Sequence, residues 1–171
     1  VRESFDFAHL FCDKIATVRI TSLLEDSHGI LWLGTQLGLV KCTPRQQSYQ
    51  FELIQADPAK PNGLNNNSIA CLLADPNNAG NILWIGTKGG GINRFDIQKN
   101  TYQHLTTADG LPNNVVYGIL SDSKNDLWCS TNRGLAKIAP RSNQTPITFD
   151  VTAFTVKMGL QDNEFNTFSF F

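Results

Sequence analysis

The sequence predicts an all-β fold: a β-propeller fragment of about three four-stranded antiparallel blades, with one extra strand at each end. Three observations carry that prediction. A tryptophan-centred phrase occurs three times, as GILWLGTQLGLVKC from Gly29, NILWIGTKGGGINRF from Asn81 and NDLWCSTNRGLAKI from Asn125. Asp26, Asp75 and Asp122 precede Trp32, Trp84 and Trp128, and a Gly-Leu pair recurs upstream at Gly63, Gly110 and Gly159. The steps from Asp26 to Asp75 and from Asp75 to Asp122 are 49 and 47 residues, too long for a leucine-rich repeat and right for a propeller blade.

Each period holds four short extended segments. In the middle copy they are SIACLLA, NILWIGT, GINRFD and TYQHLT, rich in β-branched and aromatic residues and parted by Gly, Asn, Asp and Pro. No stretch of useful length has a 3.6-residue period, so few helices are expected. In chain order the expected units are an outer strand of a preceding blade at 1–14 (ESFDFAHLF), blades at 15–62, 63–109 and 110–158, and the inner strand of a following blade at 159–171.

The recurring residues have expected physical jobs. Asp26, Asp75 and Asp122 close the turn between the first two strands, where such side chains bond nearby amides. Gly29, Gly80 and Asn125 follow, the residue types that tolerate positive φ. Trp32, Trp84 and Trp128 offer large apolar surfaces to bury between neighbouring blades. Ser22, Cys71 and Gly118 share one small-residue position, which implies tight packing near the central axis. A blade cannot bury both faces alone, so it needs neighbours with the same surface.

Bulk composition excludes several classes. With 171 residues the chain is long enough for a real core, and a hydrophobic fraction of 41% argues against wholesale disorder. A net charge of -1 with 17% charged residues gives no electrostatic case for nucleic acid. No apolar run approaches the roughly 20 residues of a membrane-spanning helix. The sequence begins without Met or a leader and reads as a mature or excised piece. Cys12, Cys42, Cys71 and Cys129 lack any C-x-x-C spacing and read as small apolar residues.

No catalytic constellation, metal site or cofactor is expected. His9, His28 and His104 lie far apart without ligand spacing, and no serine sits in a G-x-S-x-G. GTKGGGINRF suggests a phosphate loop but sits between two strands and lacks the following helix. Ligand binding suits the sequence better. Loops joining strands two and three, and those joining blades, emerge on one propeller face. They carry Gln36, Lys88, Asn132 and Arg133, with Asn65, Asn66, Asn113, Asn114 and Asp162. Of these, Gln36, Lys88, Asn113, Asn114, Asn132 and Arg133 are the candidate ligand residues. Amides suit sugar hydroxyls, and Lys88 and Arg133 suit an acidic glycan.

The composite of G-L-x-x-N, D-x-x-G-x-L-W-I-G-T and G-G-G-L-N-R-F resembles the two-component regulator propeller repeat of periplasmic sensor regions in Bacteroides-type hybrid histidine kinases. GLPNNVVYGILSDSKNDLWCSTNRGLAKI and NILWIGTKGGGINRFD carry it, and it covers the chain from about Thr17 to Phe171. Lys14-Ile15 replaces the first Gly-Leu, and Cys129-Ser130 stands where Ile-Gly is usual. The resemblance implies a signal-input module of a membrane-anchored sensor in the periplasm, acting in transcription regulation and responding to an oligosaccharide, an acidic one included. The alternative is a non-catalytic scaffold for protein interaction or dimerisation. Three blades fall short of the four to eight a closed propeller needs, so self-association through exposed blade faces is expected.

Overall fold

The computed structural model describes residues 18–46, 48–141 and 147–162. Twelve strands fall into three four-stranded antiparallel sheets, each meandering in chain order. The first holds β1 (Ile20–Glu25), β2 (Leu31–Thr35), β3 (Gly38–Pro44) and β4 (Tyr49–Ile54). The second holds β5 (Ile69–Ala74), β6 (Ile82–Thr87), β7 (Ile92–Asp96) and β8 (Thr101–Leu105). The third holds β9 (Val116–Ser121), β10 (Leu127–Thr131), β11 (Gly134–Pro140) and β12 (Phe149–Phe154). Helix among the described residues is limited to single 3-10 turns at Thr107–Asp109 and Val156–Met158. This is the all-β blade architecture expected; the outer strand expected at 1–14, and 163–171 of the following inner strand, lie outside the described residues.

The inner strands face one another, β1 against β5 and β5 against β9. Thr21 Oγ1 donates to the Ile69 carbonyl at 2.8 Å, and the Leu72 amide donates to Ser22 Oγ at 3.0 Å. Small residues make that approach feasible. Ser22 pairs with Gly34, Cys71 with Gly86, and Gly118 with Ser130. A Cβ on Gly34 would stand 2.7 Å from Ile69 Cγ2, and one on Gly86 only 2.4 Å from Cys71 Sγ. Blade 3 reverses the order, with the glycine on β9 and the serine on β10. The Ser130 departure is thereby offset by Gly118.

Alternation along each strand sends successive side chains to opposite blade faces. Trp32 and Leu39 therefore leave blade 1 and pack with Ile69, Leu83, Ile85 and Phe95 of blade 2. Trp84 and Ile92 leave blade 2 and pack with Val116, Ile119, Leu127 and Ile138 of blade 3. Trp32 meets Phe95 edge-on at 5.8 Å, and Trp84 meets Phe149 edge-on at 5.4 Å. Each such fully buried side chain contributes about 1.5–3 kcal/mol. Trp128 is only half-buried and stacks on Phe154 of its own blade at 5.3 Å.

One turn expectation needs correction. Gly29 and Asn125 do adopt positive φ, +74° and +63°, but Gly80 is absent from the positive-φ residues. The insertion Pro76–Gly80 lengthens that turn, and Asn78 accepts the amides of Asn81 and Ile82 instead. Gly80 serves close approach: a Cβ there would lie 2.5 Å from Ser27 Oγ of blade 1.

Candidate functional site

The loop end of the blades is built on a repeated threonine. Thr35, Thr87 and Thr131 are buried at the ends of their strands. Their hydroxyls donate to the carbonyls of Gly38, Gly91 and Gly134 at 2.8, 2.9 and 2.8 Å. They accept the amides of Leu37, Gly90 and Arg133 at 3.0, 2.9 and 3.1 Å. Each hydroxyl thus fastens both sides of a β2–β3-type turn. The glycine is required because a Cβ on Gly38, Gly91 or Gly134 would lie 2.4, 2.2 or 2.1 Å from a fourth-strand carbonyl.

These turns then meet the connectors between blades. The Lys88 amide donates to Ser68 at 2.9 Å, and Gly89 and Gly91 donate to the Asn114 carbonyl at 3.0 and 2.8 Å. Asn93, buried, donates to Asn65 Oδ1 at 2.9 Å, while Asn65 Nδ2 reaches the Gly90 carbonyl at 2.8 Å. Blade 2's loop is therefore held between the connectors that precede and follow it.

The sequence-predicted residues divide by what their side chains do here. Asn113 Oδ1 accepts the Val115 amide at 2.8 Å, and Asn114 Oδ1 accepts the Thr107 amide at 2.8 Å. Asn132 Oδ1 accepts the Tyr117 hydroxyl at 3.0 Å, and its amide reaches Val115 at 3.1 Å. Those three amides brace the loops. Gln36, Lys88 and Arg133 expose their side chains. Lys88 bridges to Val115, so Lys88, Asn113, Asn114 and Asn132 belong to one loop cluster, with Arg133 next along the chain. Gln36 sits in the corresponding turn of blade 1, and no bond ties it to that cluster.

The opposite end carries the tryptophan–aspartate pairs. Trp32, Trp84 and Trp128 donate their indole N–H to Asp26, Asp75 and Asp122 Oδ2 at 2.9, 2.7 and 3.0 Å. The other carboxylate oxygen accepts turn amides, as Asp26 Oδ1 does from His28 and Ile30. The Trp128 indole and the Lys124 and Asp126 amides hold the Asp122 carboxyl below its ordinary range. A cation covers each ring: Lys41, Arg94 and Lys137 stand 5.7, 5.9 and 5.7 Å from the centroids. Sequence reasoning missed both the threonine and the cation, although each recurs in all three copies.

Reactive chemistry is sparse. Burial pushes the thiols of Cys71 and Cys129 up to about 12 and that of Cys42 up to about 11. Among the described residues no group of three or more His, Cys, Asp or Glu could hold a metal ion. Between β4 and the connector at 57–64 lies a cavity of about 520 Å³. Tyr102 lines it, stacked on Phe95 at 4.3 Å, with its buried hydroxyl unbonded.

Comparison with known proteins agrees with this geometry. The two component regulator propeller family matches residues 14–36 and 110–133, two segments that make up less than half of the chain. The chain carries two-component regulator propeller repeats. Its blades also superpose on the extracellular domain assigned to a hybrid two component system of B. thetaiotaomicron, with a TM-score of 0.69 and 25% identity over 88% of this chain. The propeller repeats described here span only 21% of that relative's length. A second such extracellular domain from B. thetaiotaomicron gives a TM-score of 0.52 at 19% identity, covering 83% of this chain and 25% of its own. A protein from Bacteroides uniformis assigned as a 6-phosphogluconolactonase shares the fold alone, with a TM-score of 0.54 at 14% identity, covering 84% of this chain and 44% of its own. No curated protein matches the sequence. No helix among the described residues is long and apolar enough to cross a membrane.

Proposed function

We propose that this chain is a signal-input part of a periplasmic propeller in a membrane-anchored hybrid two-component sensor histidine kinase, and that its ligand is an oligosaccharide. The observation that carries the reading is the propeller repeat, together with the likeness to a hybrid two component extracellular domain across 88% of the chain. The loop cluster supports binding without turnover. Its amides are fixed by turn bonds, and it presents Lys88 and Arg133 without a paired acid and base. A sensor needs its ligand to favour one arrangement of the parent protein over another, which sets the downstream kinase and transcriptional response. Titration of the 171-residue chain with a panel of neutral and acidic oligosaccharides, followed by amide NMR, tests this. Saturable shifts at Lys88, Asn114 and Arg133 without product formation support the reading, and turnover contradicts it.

A specific observation favours a second reading, a scaffold for association. Leu120 beside Trp128 is 43% exposed on the trailing face of blade 3, and Leu23 on blade 1 is 64% exposed. Leu120 occupies the register position of Leu24 and Leu73, opposite the tryptophan in each case. A concentration series by light scattering decides it: association indifferent to every oligosaccharide is the scaffold's signature.

A further inference from the structure

Blade 2 departs from its sisters in two places, and both departures face one cleft. Its first turn carries the Asn-rich insertion Pro76–Gly80, and the cation over its tryptophan is an arginine where the others have lysine. The cleft lies between blades 2 and 3, at the turn end away from Lys88 and Arg133. It encloses about 450 Å³, with Arg94, Asp75, Asn77, Asn78 and Asn125 on its polar side and Ile138 and Phe149 on its apolar side.

Arg94 differs from both lysines in carrying a planar fork, and it shares with Lys41 the lack of an ion pair among the described residues. Its guanidinium is half-buried over Trp84 and makes no hydrogen bond or close ion pair with any described residue. Lys137, its counterpart in blade 3, pairs with Asp126 at 2.8 Å. The nearby Asp75 is already engaged: Oδ2 holds the Trp84 indole and Oδ1 accepts the Asn77 amide at 3.0 Å. Burial lowers the Arg94 pKa, against the opposing fields of Asp75 and Asp96. A partly desolvated fork of five donors with no acceptor among the described residues favours a planar anion. The amides beside it are held in place, since Asn125 Nδ2 donates to Asn77 Oδ1 at 2.8 Å. That bond leaves the Asn77 NH₂ and the Asn125 carbonyl oxygen available.

We propose that this cleft binds a polyhydroxylated carboxylate of monosaccharide size, a uronate being the simplest. Arg94 takes the carboxylate in a bidentate pair, Asn77 and Asn125 meet hydroxyls, and Ile138 and Phe149 pack against the C–H face of the ring. The volume suits one such unit, at the small end of known ligand sites. The site is separate from the loop cluster and stands without the sensor reading.

The test is a titration of the 171-residue chain with glucuronate, glucose and acetate, reading the Trp84 indole and Arg94 Nε–H signals by NMR. Glucuronate is expected to move both signals saturably while glucose and acetate do not. R94K is expected to weaken the glucuronate shifts at least tenfold, because it keeps the charge but loses the fork. R94K retains what blades 1 and 3 carry at this position, so its fold is preserved. The proposal is overturned if glucuronate gives no saturable shift, if glucose or acetate matches it, or if R94K binds unchanged. Lys88 and Arg133 signals report the loop cluster in the same spectra, so failure of one site is distinguishable from failure of the other.

Discussion

The indole of Trp32 donates to Asp26 Oδ2 at 2.9 Å with both residues buried, joining the core of blade 1 to the turn that starts its second strand. A residue chosen for packing is thereby oriented by a residue chosen for a turn. Replacing Trp32 with Phe leaves a buried carboxylate oxygen without its donor, which costs on the order of 1–3 kcal/mol before any packing loss. Urea unfolding of W32F should show a loss in that range or above it. A loss under about 0.5 kcal/mol would mean that the pair is incidental.

Asp122 gives the same pair a pH signature. Its carboxyl is held low chiefly by the Trp128 indole, so the folded value lies below the unfolded one. Such a group stabilises the fold above the unfolded value of about 3.9 and loses that contribution as pH falls through the folded value. In Trp128→Phe the Asp122 midpoint should rise toward the unfolded value, read by carboxyl-carbon NMR. An unmoved midpoint would assign the shift to the Lys124 and Asp126 amides and the Lys137 charge.

The close approach of blades 1 and 2 at Gly34 predicts a steric effect. A Cβ there meets Ile69 Cγ2 at 2.7 Å, and overpacking of this kind costs about 1–3 kcal/mol. Gly34→Ala should lose stability in that range, and Ile69→Ala should restore part of it in the double mutant. Strict additivity would show that the two residues do not meet.

Thr87 predicts a polar effect at the opposite end. Thr87→Val is nearly isosteric but strands the Gly90 amide and leaves the Gly91 carbonyl only the Thr87 backbone amide, so a loss of about 1–3 kcal/mol is expected in thermal unfolding. Exchange of the Gly90 amide should quicken along with it. Unchanged exchange would contradict the fastening role.

The thiols offer a chemical check. With Cys71 and Cys129 pushed up to about 12 and Cys42 to about 11, a Cys12→Ser variant should react with a thiol reagent at pH 8 only as fast as it unfolds. Rapid labelling of the folded protein would contradict the burial of all three.

The blades were legible because periodicity reports on packing. Trp32, Trp84 and Trp128 recur at blade spacing, and so do the aspartates that bond them, although the bond itself joins residues six or nine positions apart and leaves no local mark. Thr35, Thr87 and Thr131 were equally periodic and went unread, since a threonine ending a strand looks like simple β propensity. Gly80 was misread because its reason is a neighbouring blade, Ser27 Oγ, and turn preferences see only the local chain. Arg94 was missed as a departure from the repeat: a lysine-to-arginine exchange looks conservative until the fork is found to have no acceptor among the described residues. The loop residues Asn113, Asn114 and Asn132 lie together at one end of the blades, but sequence could not distinguish amides that brace a turn from amides free to meet a ligand.

The central claim is that each blade's tryptophan is covered by the next blade, and that Trp128 has no described blade beyond it. Hydrogen exchange of the three indole N–H groups, at a concentration low enough to suppress association, tests this most directly. The account predicts slow exchange at Trp32 and Trp84 and exchange faster by at least tenfold at Trp128. Equal protection of all three would show that Trp128 is covered as the others are, and would contradict an open trailing face on blade 3.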